Sequence, residues 1–178
     1  MCFAASAIAL AMLPACDDDD NFVDYKPWAE RNTKFVQDAE AEMKNGVPVY
    51  SKIAPTWSPD AFTLVKWEND RAATINNLSP MDNSVVYVKY DVEDIDGNRY
   101  DDSYSSKTYG DSIYRTRPYN NVTGFWYTLT QMHVGDSVTA VLPAISAYGN
   151  ASQGAIPPYS TLIFHIKLVG IPSFEVPM

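Results

Sequence analysis

Cysteine is scarce in this chain: Cys2 and Cys16 are the two found in 178 residues. Histidine is as rare, and neither His133 nor His165 has a second His or Cys at ligand spacing, which argues against a zinc site. Lys and Arg together number 13 against 22 acidic residues, a net charge of −9. The clustered cations that neutralise nucleic-acid phosphates are therefore missing, and no nucleic-acid partner is expected. No apolar run is long enough to span a bilayer as a helix, and no phosphate-binding glycine loop is present. What the chain does hold is 46% hydrophobic and 13% aromatic residues, enough for one packed core.

The first stretch has its own character. Residues 1–15 are small and apolar and end at Cys16, the pattern of a secretory signal peptide. Leu13-Pro14-Ala15-Cys16 looks like a bacterial lipobox, in which the cysteine is acylated and becomes the mature N-terminus. The four aspartates at 17–20 resemble the acidic export tag of surface lipoproteins of Bacteroidetes-type bacteria; read by charge alone they form a solvated tether. The expectation is a monomer anchored through Cys16 to the outer membrane of the cell envelope, held by lipid chains without spanning. With Cys2 removed and Cys16 lipidated, no disulfide remains, and stability must come from the core.

Five segments follow from the pattern: a signal peptide at 1–15, an acidic linker at 16–26, a helix and connection at 27–60, a main domain at 61–171 and a tail at 172–178. Helical spacing over 27–44 puts Trp28, Phe35, Val36, Ala39 and Met43 on one stripe. Glu30 with Lys34 and Glu40 with Lys44 fall at i,i+4, and Asn45-Gly46 reads as the helix stop. Residues 47–60, with three prolines, read as an irregular connection. Alternation predicts strands over 62–67, 84–90, 137–142 and 161–168. In the last, Leu162, Phe164, Ile166 and Leu168 share one face. Asp96-Gly97 predicts a hairpin turn, and residues 102–121 a long flap or bulged edge. Val122 to Met132 reads as a short helix. Several strands with one short helix indicate an α+β fold, a curved antiparallel β-sheet wrapping that helix.

Three local patterns carry no chemistry. Gly110-Asp111-Ser112 and Gly135-Asp136-Ser137 are turns, since no Asp-x-x-His follows as an esterase would need. Asp94-Ile95-Asp96-Gly97 sits in a would-be calcium loop whose first and twelfth positions are Val92 and Ser103, without the required carboxylates. His133, just before Gly135, reads as an exposed cap of the helix C-terminus.

The remaining pattern is denser. The segment that ends Met132-His133-Val134-Gly135 is followed by a strand, Tyr148-Gly149, and Ile156-Pro157-Pro158-Tyr159-Ser160-Thr161-Leu162-Ile163-Phe164. This order resembles the FKBP family of peptidyl-prolyl isomerases, marked by M-x-x-G, a YG loop and an IPP-x-x-T-L-x-F strand. The resemblance extends over residues 61–171. Val88-Lys89-Tyr90 matches the family's V-x-Y but lacks the T-G that follows; Tyr100-Asp101 matches F-D; Asn121-Val122-Thr123-Gly124-Phe125 matches V-I-x-G-W with Phe125 for the tryptophan; Ser146-Ala147-Tyr148-Gly149 matches Y-A-Y-G.

The resemblance implies an apolar bowl between sheet and helix, made by Tyr90, Tyr100, Asp101, Val122, Phe125, Tyr148, Ile156 and Phe164. Tyr148 and Asp101 would orient peptide carbonyls and neighbouring hydroxyls, and the Val122 amide would hold the residue beyond proline. It implies peptidyl-prolyl cis-trans isomerase activity on proline-containing peptides or unfolded exported proteins, with no cofactor and no metal. The alternative is a non-catalytic FKBP-like envelope lipoprotein that binds peptides or proteins. A third version has the bowl filled by Trp126, Tyr114 or Tyr119. Taken singly, Phe125, Phe164, Tyr90 and Tyr100 also suit plain core and strand positions.

Overall fold

A computed structural model describes residues 23–105 and 112–172, so the signal peptide, the Cys16 anchor, part of the flap and most of the tail lie outside the described residues. The elements in chain order are α1 (Lys26–Glu40), β1 (Met43–Lys44), β2 (Val47–Pro48), β3 (Ser51–Ile53), β4 (Thr63–Trp67), β5 (Val86–Glu93), β6 (Arg99–Asp102), β7 (Tyr114–Thr116), α2 (Thr123–Gln131), β8 (Ser137–Leu142) and β9 (Leu162–Gly170). Seven strands form one antiparallel sheet in the order β3-β4-β8-β9-β5-β6, with β7 also pairing β5. No helix among the described residues is long and apolar enough to cross a membrane.

The alternating residues of β9 decide which face is inside. Register places Phe164 opposite Val92 and Ala140, and Ile166 opposite Tyr90 and Val138, so these side chains share one face. That face, with Val65 and Leu168, packs on Phe125 and Leu129 of α2 to make the main core. The other face is covered where Leu64 and Val141 meet Val36 and Ala39 of α1. Asn32 fixes this helix: its side chain accepts from the Thr161 N–H at 2.6 Å and donates to the Trp28 carbonyl at 2.8 Å.

Four expectations change. The first helix ends at Glu40, because Asn45 and Gly46 both take positive φ (52° and 78°) and turn the β1–β2 hairpin instead. An Asn-Gly pair suits a two-residue hairpin better than a helix stop, and Met43 is exposed on that hairpin. The ion pairs shift with it: Lys34 bonds Asp38, and Glu40 bonds Lys52 across to β3. Residues 47–60 are not wholly irregular, since β3 pairs with β4 and widens the sheet.

The flap contributes a true strand as well, β7, which pairs Tyr114 with Val88. Lastly, His133 is half-buried. Its ring Nδ1 accepts from Arg71 at 2.9 Å, while the His133 backbone N–H donates to the buried Asp136 carboxylate at 2.7 Å. Burial opposes the Asp136 charge, but donors from Thr74, His133 and Asn69 outweigh it and hold that carboxyl below its usual range. This cluster ties the 69–74 turn to the exit of α2.

The seat of α2 on the sheet is set by Gly124. A Cβ there would lie 2.5 Å from Leu142 Cγ and 2.8 Å from Thr63 Oγ1, so only glycine lets the helix approach this closely. Replacing Gly124 by Ala gains about 1 kcal/mol of helix propensity but forces overlap costing about 3 kcal/mol. Gly124→Ala should therefore lower the unfolding free energy by a net ~2 kcal/mol, read as a lower urea midpoint with an unchanged m-value; an equal or higher midpoint would contradict this packing.

Candidate binding site

The site begins at Tyr90, where the outer partner of β5 changes from β7 to β6. Ser103 fills that gap: its N–H donates to the Tyr90 carbonyl at 2.9 Å, and its Oγ accepts the Tyr90 N–H at 3.0 Å. With its backbone fixed on both sides, Tyr90 turns its ring inward. It meets Phe125 of α2 nearly edge-on at 5.9 Å, and Phe125 meets Phe164 of β9 at 5.1 Å. Tyr90 and Phe164 close the triangle at 6.2 Å, and Tyr114 of β7 stacks edgewise on Tyr90 at 5.3 Å. Edge-to-face pairs of this kind each add about 0.5–1.5 kcal/mol beyond area burial. The rings therefore hold one another in place.

These rings line a cavity of roughly 290 Å³. Its walls continue through Val122 and Asn121 at the start of α2, Tyr148 and Ile156 from the loop before β9, and Asp101 on β6. Seven of the eight side chains that the sequence singled out thus come together around one hollow. Tyr100 does not line it. Its hydroxyl instead donates to Asp94 Oδ2 at 2.8 Å in the β5–β6 turn, where the buried Asp94 also accepts the N–H groups of Asp96 and Asn98. That carboxylate needs donors, and it draws the phenol away. Burial and then the Asp94 bond push the Tyr100 phenol up to about 12.

Polarity is confined to the rim. The Tyr90 hydroxyl donates to Asp101 Oδ2 at 2.6 Å, and the Asp102 N–H donates to Asp101 Oδ1 at 2.8 Å. Burial first, then the Asp101 bond, drives the Tyr90 phenol well above its ordinary range. Tyr148 is raised too, by burial and then by Asp101 and Tyr114, so it remains a protonated donor at neutral pH. Among the described residues, neither the Tyr148 hydroxyl nor the Val122 N–H has an acceptor. The hollow thus presents two free donors above an apolar floor. Among the described residues no group of three His, Cys, Asp or Glu converges as a metal set.

The sequence reading missed part of the lining. Val92 and Leu162 line the cavity as the neighbours of Tyr90 and Phe164 at the strand period of two, a signal that was there to be used. Asn120 and Asn121 carried no such signal. The Asn121 amide ties the turn to β7 by donating to the Arg117 carbonyl at 2.8 Å and to Thr116 Oγ1 at 3.2 Å. Of the three proposed plugs, Tyr114 is a wall, whereas Tyr119 and Trp126 lie outside the lining. Among the described residues nothing fills the hollow, contrary to the filled version.

A family model described as FKBP-type peptidyl-prolyl cis-trans isomerase matches residues 77–169, more than half of the chain. The FKBP-type peptidyl-prolyl cis-trans isomerase FkpA of Escherichia coli strain K12 is 33% identical over 93 residues, and the same protein of Escherichia coli O157:H7 matches equally. The match covers 52% of this chain and 33% of FkpA, so the chain spans about a third of the length of the curated relatives it matches. Among solved structures, a peptidyl-prolyl cis-trans isomerase from Pseudomonas syringae pv. tomato superposes with TM-score 0.65 at 21% identity, covering 84% of this chain and 96% of that one. The crystal structure of Escherichia coli FkpA gives 0.62 at 23% identity, covering 79% and 57%. At these identities the two structures speak for the fold.

The Tyr90–Asp101 pair has a consequence in alkali. A phenol whose folded pKa is raised above the unfolded value of 10.0 contributes stability that is complete below that pH and is lost as pH rises. Denaturation measured from neutral to strongly alkaline pH should show this fall in the parent chain. Tyr90→Phe should be weaker by about 1 kcal/mol at neutral pH and fall less steeply in alkali; identical alkaline slopes would rule out a phenol raised by burial and by Asp101.

Proposed function

This chain belongs to the FKBP-type peptidyl-prolyl cis-trans isomerase family, and on that basis we propose that its aromatic cavity binds X–Pro segments and speeds rotation about the bond before proline. The observation that carries this reading is the open hollow floored by Phe125 and Phe164, with two unpartnered donors at its rim. Rotation needs about 18–20 kcal/mol because it breaks amide resonance, and without help it takes tens of seconds. The twisted transition state has lost C–N double-bond character, and its carbonyl is less polar than that of the planar amide. A dry aromatic surround disfavours the planar form relative to the twisted one and keeps out water that would favour the resonance form. No nucleophile, metal or proton transfer is required.

Each polar group then has a task. The Tyr148 hydroxyl donates to a peptide carbonyl, and the Val122 N–H donates to the carbonyl of the residue beyond proline. Asp101 is engaged by Tyr90 and orients that phenol at the wall. The substrates are proline-containing stretches of unfolded exported proteins. The protein acts as a monomer on the cell envelope, anchored to the outer membrane by lipid on Cys16, as the lipobox-like Leu13-Pro14-Ala15-Cys16 suggests. Cys16→Ser should release the chain from the membrane fraction; a variant that stays there would remove the anchor from the account.

A second reading is favoured by Phe125, a smaller floor than the tryptophan the family pattern carries: a module that holds proline peptides without turning them over. A protease-coupled proline-peptide assay on the folded full-length chain separates the two. Acceleration over background is expected, and Tyr148→Phe should reduce kcat/KM about tenfold, the worth of one hydrogen bond of about 1.4 kcal/mol. A background rate combined with peptide-induced NMR shifts at Val122 and Tyr148 would establish the non-catalytic reading instead.

A further inference from the structure

Beside the cavity lies an aromatic strip that the chemistry above does not use. Trp57 comes from the turn between β3 and β4, outside the residues that the family model matches. It is 61% exposed, yet its ring is held: it lies 5.4 Å from Trp126 and stands edge-on to Tyr127 at 6.0 Å. Trp126 is itself oriented, since its indole N–H donates to Asp82 Oδ1 at 2.7 Å. The carbonyl of Asp82 accepts the Tyr119 N–H at 3.1 Å, which joins the strip to the turn that supplies Asn120 to the cavity wall. A second link is the helix: the Trp126 N–H bonds the Val122 carbonyl at 2.9 Å, so the indole sits one turn from the cavity rim.

An exposed tryptophan fixed by two ring contacts, beside a wall already built for peptide, is a surface for something apolar. The Trp126 indole donor is already bound to Asp82, so that residue offers its ring face. One helical turn is about 5.4 Å, and extended chain advances about 3.3 Å per residue. A polypeptide held at Val122 therefore reaches Trp126 within about two residues and Trp57 within about three or four. We infer that Trp57 and Trp126 form a subsite for an aromatic or large apolar side chain about three to five residues after the proline, on the same polypeptide that fills the cavity. This rests on the reading of the cavity as an X–Pro site with Val122 holding the residue beyond proline. It makes the chain selective for apolar, unfolded stretches rather than for isolated proline turns.

The test uses the full-length chain and three probes: a tetrapeptide ending one residue beyond proline, an octapeptide with Phe three residues beyond proline, and its Ser counterpart. Calorimetric Kd should be about fivefold tighter for the Phe octapeptide than for the Ser one. Trp57→Ala should abolish that preference and leave tetrapeptide binding and turnover unchanged, while Trp57→Phe should restore most of it. The Trp57 indole N–H resonance should move with the Phe octapeptide alone. Equal Kd for the Phe and Ser octapeptides, with the tetrapeptide still bound, would overturn the subsite and spare the cavity. A tetrapeptide that fails to bind would overturn the cavity reading beneath it. Self-association of the parent chain that Trp57→Ala removes would reassign the strip to a second copy and overturn the inference.

Discussion

The approach of α2 to the sheet at Gly124 is the constraint from which the rest follows. Because no side chain separates Gly124 from Leu142 and Thr63, the helix settles deep enough for Phe125 to reach both Tyr90 and Phe164. The same depth brings the helix start, Val122, to the rim of the hollow with its N–H free of any partner among the described residues. A helix seated farther out would leave three separate rings and a buried amide end. The place of Phe125 on the floor and of Val122 at the rim therefore follows from one missing Cβ.

The hollow stays open because its walls are supported from behind. Ser103 pins the Tyr90 backbone, Asp101 holds its hydroxyl, and Tyr114 of β7 backs its ring. Polar atoms that point inward elsewhere are consumed by local partners: Tyr100 is bound to Asp94, and Asn121 to the turn beside it. Among the described residues the Tyr148 phenol and the Val122 amide stay without an acceptor, and two such donors suit the carbonyl groups of an extended peptide. The chemistry asked of such a site is selective solvation, and an apolar cup with two donors can supply it.

Much of this was legible in the sequence, and the successes share a cause. Strands β5 and β9 alternate between a buried and a more open face, so the period of two placed Phe164, Ile166 and Leu168 correctly. The motif order placed Val122, Phe125, Tyr148 and Ile156 near one another across the chain. The failures have a different source. Asn45-Gly46 fits a helix stop and a hairpin turn, and only pairing of Met43 with Pro48 decides between them. Tyr100 lies off the cavity lining because Asp94, six residues earlier, claims its hydroxyl, which motif position does not reveal. Asn120, Asn121 and the ring contacts of Trp57 depend on how distant turns meet, for which local pattern holds no signal.

The central claim is that Tyr90, Phe125 and Phe164 form a cup that takes a pyrrolidine ring. Intermolecular NOEs between a proline peptide and the full-length chain test it most directly. The account predicts contacts from the proline ring protons to the aromatic protons of Phe125, Phe164 and Tyr90. Contacts to other surfaces only, or none from a peptide shown to bind, would contradict it.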